Sequence, residues 1–206
     1  MTQREMNESF LAQIHNFDVD SEYQFQTHEV NIFLTKAYRE VVNDLYKEFE
    51  KSERIRKLLN PLVTSAQIGI FAASTTYSNA YTVDLTLLDP EVLYVLTEEV
   101  TTTIATKIPV KVVTLDSYTA NKDNPFKKPY KELVWRLDIG GGSLTHYLIS
   151  TYTPTSYYIT YLQQPEEVDV TSTTSLKINK DVHKDIVDRA VQHALLAKQT
   201  NKNLKS

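Results

Sequence analysis

Residues 80–115 read AYTVDLTLLDPEVLYVLTEEVTTTIATKIPVKVVTL, and the reading of this stretch decides the fold. Tyr81, Val83, Leu85 and Leu87 alternate with Thr82, Asp84 and Thr86. That period of two turns one side of a strand toward a core. Asp89-Pro90 turns the chain into a second strand over 92–96. The Thr/Val stretch 100–115 follows, with Pro109 tolerable at an edge or a bulge. Further strands are predicted over 132–139, 144–150 and 157–162, separated by Gly140-Gly141-Gly142 and Thr153-Pro154. Residues 62–79 read as irregular, and 116–129 (DSYTANKDNPFKKP) as a long loop. Short strands joined by turns describe an antiparallel sandwich or small barrel rather than a parallel sheet with crossover helices.

Helical patterns bracket this block. Met6, Phe10 and Ile14 form one i, i+4 row within residues 1–15. The strongest signal runs from His28 to Leu59, where Val30, Leu34, Ala37, Val41 and Leu45 keep a 3.6-residue period. Thr27 is the expected N-cap, Asn60-Pro61 the stop, and the charged run EKSERIR a place for a kink or short break. A closing helix is expected over 180–198, with Asn179 as N-cap and Val182, Ile186, Ala190 and Ala194 in one row beside Val191. Neither long helix can bury its stripe alone, so each must meet the other, the β layer or another copy of the chain. The expected class is α+β, a helical bundle with an inserted antiparallel β-sandwich or small barrel. Residues 1–62 with 178–198 would form the bundle base, 63–177 the insertion, and 199–206 a polar tail.

A hydrophobic content of 41% and a charged content of 23% are values for a globular chain. The formal charge of −4 supplies no attraction to nucleic acid or an anionic membrane as main partner. With no cysteine, disulfides, thiolate chemistry and Cys-built zinc sites are excluded. The opening residues MTQREMNESF lack the apolar core of a signal peptide, and no stretch approaches the roughly 18 apolar residues of a membrane span. The expectation is a soluble protein.

The motifs that could carry catalysis are thin. Asp138-Ile139-Gly140-Gly141-Gly142-Ser143 resembles the phosphate-binding signature of the exopolyphosphatase branch of the actin-like ATPase superfamily. That superfamily needs an upstream phosphate loop in an α/β domain, which this sequence does not supply. A turn needing positive φ is the simpler reading. Asp18-Val19-Asp20 has the opening spacing of a calcium loop without its central Gly and closing Glu. His15, His28, His146, His183 and His193 form no metal-binding pair, and no G-x-S-x-G elbow exists. Glu98-Glu99 reads as strand-end or edge charge, since neighbours in a strand point to opposite faces. Phe126, between Pro125 and Pro129 in a lysine-rich loop, either plugs a local core or docks on a neighbouring subunit.

Four segments together resemble a known family: Asn31–Ala37 with Leu45–Glu50 and Arg56–Leu59, Asp123–Pro129, Tyr157–Pro165, and Val182–Val191. They are similar to the adaptor, or ring, proteins of the head-to-tail connector of tailed bacteriophages, especially those of crAss-like podoviruses. The likeness covers roughly residues 25–197. Gln163 and Gln164 stand where the family's strand ends in a basic pair. The resemblance implies a non-catalytic virion protein of the tail connector, assembled in the host cytoplasm, with no cofactor and no metal. Its partners would be other copies in a ring of usually twelve, the portal, and the next tail or ring protein. DNA would only pass through, and no membrane would be involved. The interface expected from this reading comprises Phe126, Lys127, Lys128 and Tyr130 in the loop, with Leu34, Val41, Leu45, Ile186 and Val191 on the helices. A phosphate-handling hydrolase using Asp138–Gly142 and another phage β-sandwich binding module remain the alternatives.

Overall fold

The computed structural model describes residues 1–17, 25–69, 71–104, 107–139 and 144–203. The class is α+β. The chain divides into two compact units, one formed by Met1–Leu62 with Pro165–Ser206, the other by Val63–Gln164.

In the first unit, α1 (Gln3–Phe17), α2 (Thr27–Tyr46) and α5 (His183–Asn203) carry the expected stripes, and α5 contacts both α1 and α2. Met6, Phe10, Leu34, Ala37, Ile186 and Ala190 are fully buried. Phe10, Phe25 and Phe33 form an aromatic triad with ring centroids 5.8–6.5 Å apart. The stripes therefore meet one another inside a single chain. The N-terminal end of α2 differs from expectation by one residue: Gln26 is the cap, and its backbone N–H donates to Glu29 Oε2 at 2.8 Å. The long helix does break at the charged run. Turns follow Tyr46, and α3 (Glu53–Leu59) restarts because Ser52 Oγ accepts from Ile55 N at 3.4 Å. At the other end, Asn179 caps a 3-10 turn, Lys180–Val182, that leads into α5.

After Pro165 the chain has no regular structure until that turn, so its backbone donors need other acceptors. The helices supply them. Val168 N donates to Thr35 Oγ1, Asp169 N to Gln3 Oε1 and Val170 N to Asn31 Oδ1, at 2.7–3.0 Å. Val168, Val170, Leu176 and Ile178 of this strap are themselves buried.

His183, at the start of α5, is wholly buried. Burial penalises its charged form and holds its pKa below the ordinary value, with the charge of Lys180 acting in the same sense. Below about pH 6.5, the ordinary histidine value, the unfolded chain takes up a proton that the folded chain resists. Stability of this unit is thus fully present above that pH and falls as the solution is acidified. Melting curves between pH 7.5 and 5.5 should show the decline, and His183→Gln should flatten it. An equally steep decline in the variant would remove His183 as the cause.

The second unit is one eight-stranded curled sheet, a half-barrel, in the order β1-β8-β4-β5-β6-β7-β3-β2. The strands are β1 (Val63–Ile68), β2 (Ala72–Ala73), β3 (Ala80–Asp84), β4 (Val92–Thr102), β5 (Ile108–Thr114), β6 (Val134–Asp138), β7 (Thr145–Ile149) and β8 (Pro154–Gln163). All neighbours pair antiparallel except β5 and β6, which run parallel from Val110↔Val134 to Thr114↔Asp138. That corrects the expectation of purely antiparallel pairing. A parallel pair needs a crossover, and residues 115–133 provide it with α4 (Leu115–Asn121), a helix within the expected loop. Thr114 caps α4 by accepting from Ser117 N at 3.3 Å.

One face of the curled sheet encloses Val83, Val100, Val134, Leu148, Tyr157, Ile159 and Tyr161, drawn from both halves of the strand order. On the other face, Tyr118 of α4 covers Ala80, Val113, Trp135, Leu137 and Ile149. The strand expected to reach Leu87 stops at Asp84. Its carboxylate accepts from Thr86 N at 2.9 Å and Thr86 Oγ1 at 2.7 Å, which curls 85–87 into a 3-10 turn. Residues 62–79, read as irregular, hold β1 and β2.

Candidate assembly surface

After α4 the chain makes successive turns around Asn124. Its backbone carbonyl accepts from Lys127 N at 3.1 Å and Lys128 N at 2.9 Å, while its side chain accepts from Phe126 N at 3.0 Å. Thr151 Oγ1 donates to Pro129 O at 3.0 Å, pinning the loop's end to the β7–β8 turn. Leu133 N donates to Tyr130 O at 3.0 Å. The backbone is therefore well held, and what it displays is apolar. Phe126 is 95% exposed and Tyr130 57%, beside exposed Lys127 and Lys128. The local-core reading of Phe126 is overturned, because the Asn124 turn holds the ring away from the sheet. A large apolar side chain on an ordered loop has the makings of an interface anchor, since little ordering cost remains to be met on binding.

The helical members of the expected interface lie elsewhere. Leu34, Val41, Ile186 and Val191 are 0–5% exposed within this one chain, and Leu45 is half-buried. Hydrogen-bonded pairs tie α2 to α5 around them. Arg189 Nη1 lies 2.6 Å from Asp44 Oδ2, and His193 Nε2 lies 2.7 Å from Glu40 Oε2.

The enclosed face of the sheet holds a buried polar cluster that sequence reasoning missed. Glu98 on β4 has a side chain only 5% exposed, which corrects its assignment as edge charge. Arg136 Nε on β6 donates to Glu98 Oε2 at 2.9 Å, and His146 Nδ1 on β7 lies 3.3 Å from Oε1. The Tyr157 hydroxyl on β8 donates to the same Oε1 and sits 2.9 Å from His146 Nδ1. Burial alone would raise the Glu98 pKa. The hydrogen bond from His146, the Arg136 charge and the Tyr157 hydroxyl outweigh it, so the carboxyl is held below the usual range. The phenol of Tyr157 is pushed upward by burial and by the adjacent carboxylate. Each group occupies the others, which suits a structural tie across four strands.

Beside this cluster opens a cavity of about 190 Å³ whose lining includes Leu85, Val92, Ile139, Leu144, Arg136 and His146. Asp138 is exposed at its edge, while Gly140–Ser143 and the Asp18-Val19-Asp20 segment lie outside the described residues. Among the described residues no three His, Asp or Glu side chains gather as a metal site, and no helix is long and apolar enough to cross a membrane.

Comparison with known proteins converges on one assignment. The family model described as phage tail ring protein 3/4 matches residues 1–206. Ring protein 3 of Bacteroides phage crAss001 is 28% identical, covering 96% of each chain. Ring protein 4/5 of the same phage is 22% identical, covering 97% of this chain and 94% of its own. These are structural ring proteins and not enzymes, so the hydrolase alternative falls away. The chain belongs to the phage tail ring protein 3/4 family and is a virion structural protein of a ring in the phage tail.

Proposed function

We propose that this protein forms one ring of the head-to-tail connector, closed from twelve copies, between the portal and the next tail component. In this reading the helical unit (residues 1–62 with the closing helix) is a bundle that builds the ring base. The sheet, as a small barrel-like insertion, carries the contacting loops. Assembly takes place in the host cytoplasm, and DNA passes through the ring without being bound. The mildly acidic formal charge of −4 supports a channel wall of that kind, because counterion release on phosphate contact needs clustered cations.

The observation that carries the proposal is the ordered loop presenting Phe126, Lys127, Lys128 and Tyr130, in a chain that matches a ring-protein family along its whole length. Head-to-tail contacts between identical subunits close into rings when the rotation permits. A rotational average of assembled particles by electron microscopy tests copy number and position. A protein that stays monomeric, both alone and with its virion neighbours, overturns the reading. Phe126→Ala should reduce assembly strongly while moving the subunit melting temperature little, since exposed positions usually change stability by about 0.5 kcal/mol or less. Equal losses of melting temperature and assembly would refute the anchor role.

A further inference from the structure

The two ends of the sheet carry opposite features. Ala80 pairs with Ile149, and Ile149 with Trp135, so the 122–131 loop that precedes β6 lies at that end. Asp84 pairs with Thr145 at the far end of the same strands, and the β3–β4 connection, 84–91, leaves from there. The 122–131 loop (KDNPFKKPYK) has a formal charge of +3, and the 84–91 connection (DLTLLDPE) one of −3. Asp84, Asp89 and Glu91 are exposed, as are Lys127 and Lys128.

The shapes are complementary as well. Phe126 projects at the basic end. At the acidic end lies the cavity of about 190 Å³, with Leu85, Val92, Ile139 and Leu144 in its wall and Arg136 beside them. The wall is mixed, with Asp138, Thr145 and His146 beside the apolar residues, and the volume exceeds the roughly 150 Å³ that takes a benzene ring. An arginine next to an inserted ring adds a cation–π contact.

We infer that the Phe126 loop of one copy docks on the acidic end of the next copy's sheet, its ring entering the cavity below the Asp84–Glu91 connection. The inference rests on the ring-forming reading above and names the contact that would build the ring. Because donor and acceptor surfaces sit at opposite ends of one unit, the contact is heterologous and repeats from copy to copy. The occupant is a second copy because both halves, equal in charge and matched in size, are present on this chain.

Charge reversal tests it. The Lys127→Glu/Lys128→Glu variant and the Asp89→Lys/Glu91→Lys variant, which spares the Asp84 cap, should each need on the order of 30-fold more protein to assemble. Mixed in equal amounts, they should reassemble, since each then offers what the other lacks. Circular dichroism and melting curves establish that both variants fold. In the cysteine-free chain, Phe126→Cys combined with Ile139→Cys should give intermolecular disulfide oligomers on a non-reducing gel. Assembly of the loop-reversed variant at the wild-type concentration, or a mixture of folded variants that stays dissociated, overturns the inference. If the loop-reversed variant forms rings normally yet loses the next tail component, the inference fails while the ring reading stands.

Discussion

Glu98→Ala should lower the stability of the sheet unit by about 3–5 kcal/mol, the usual cost of removing one partner from a buried ion pair. For a unit of about this size, 1 kcal/mol corresponds to roughly 4–8 °C in melting temperature, so a loss above ~12 °C is expected. The physical reason is what remains. Arg136 keeps a side chain that is 17% exposed, now without its counter-charge, and His146, 7% exposed, loses a polar partner. The Tyr157 hydroxyl loses its acceptor in the same step. Glu98→Gln retains hydrogen-bonding atoms and should cost less. Glu99→Ala, one residue along on the opposite face, should stay within about 0.5 kcal/mol. The Glu98 pKa is held down, so its contribution is complete above the ordinary carboxyl value and fades as pH falls below about 4.3. The alanine variant should therefore converge on the wild type in acid. A variant that melts within 2 °C of the wild type at pH 7 would show that the cluster does not hold the sheet.

The second large effect belongs to the helices. Ile186→Ala should cost about 2–5 kcal/mol, read as earlier loss of the helical signal on heating. Ile186 is fully buried on α5 and lies in one row with Val182, Ala190 and Ala194, also buried. Deleting three carbons there leaves a void that rigid neighbouring helices cannot close. Leu196→Ala on the same helix is the control, because Leu196 is 60% exposed and should change stability little. If Ile186→Ala lowered assembly but not the melting temperature, the α5 stripe would be serving another copy instead of its own chain.

The two predictions divide along what the sequence made legible. The stripes of α1, α2 and α5 were readable because helical periodicity is local and each apolar row spans several turns. Glu98 was less so, although a signal was present. It lies in phase with the buried Val100 and Thr102 on β4, and Arg136 interrupts the apolar strand 134–138 in the same way. A charge in phase with core residues needs a partner, and the partner came from a strand 38 residues away. β1 was hidden by its composition. VTSAQI on an edge strand is only partly buried and alternates weakly. α4 is seven residues long, too short for a periodic signal, and its capping threonine is the last residue of β5.

The parallel pairing of β5 with β6 was out of reach for a different reason. Strand direction depends on where the connection returns, and hydrophobic alternation reads the same in either direction. Sequence alone determined the α+β class, the existence and apolar faces of the long helices, the β-rich middle, and the kinship with phage ring proteins. The tertiary structure decided which surfaces those faces meet. It turned the helical stripes into one chain's own core, buried Glu98 among Arg136, His146 and Tyr157, and left Phe126 in solvent. Burial is a property of the assembled chain. A residue's neighbours in sequence set its local conformation, but its exposure is set by segments that arrive from tens of residues away.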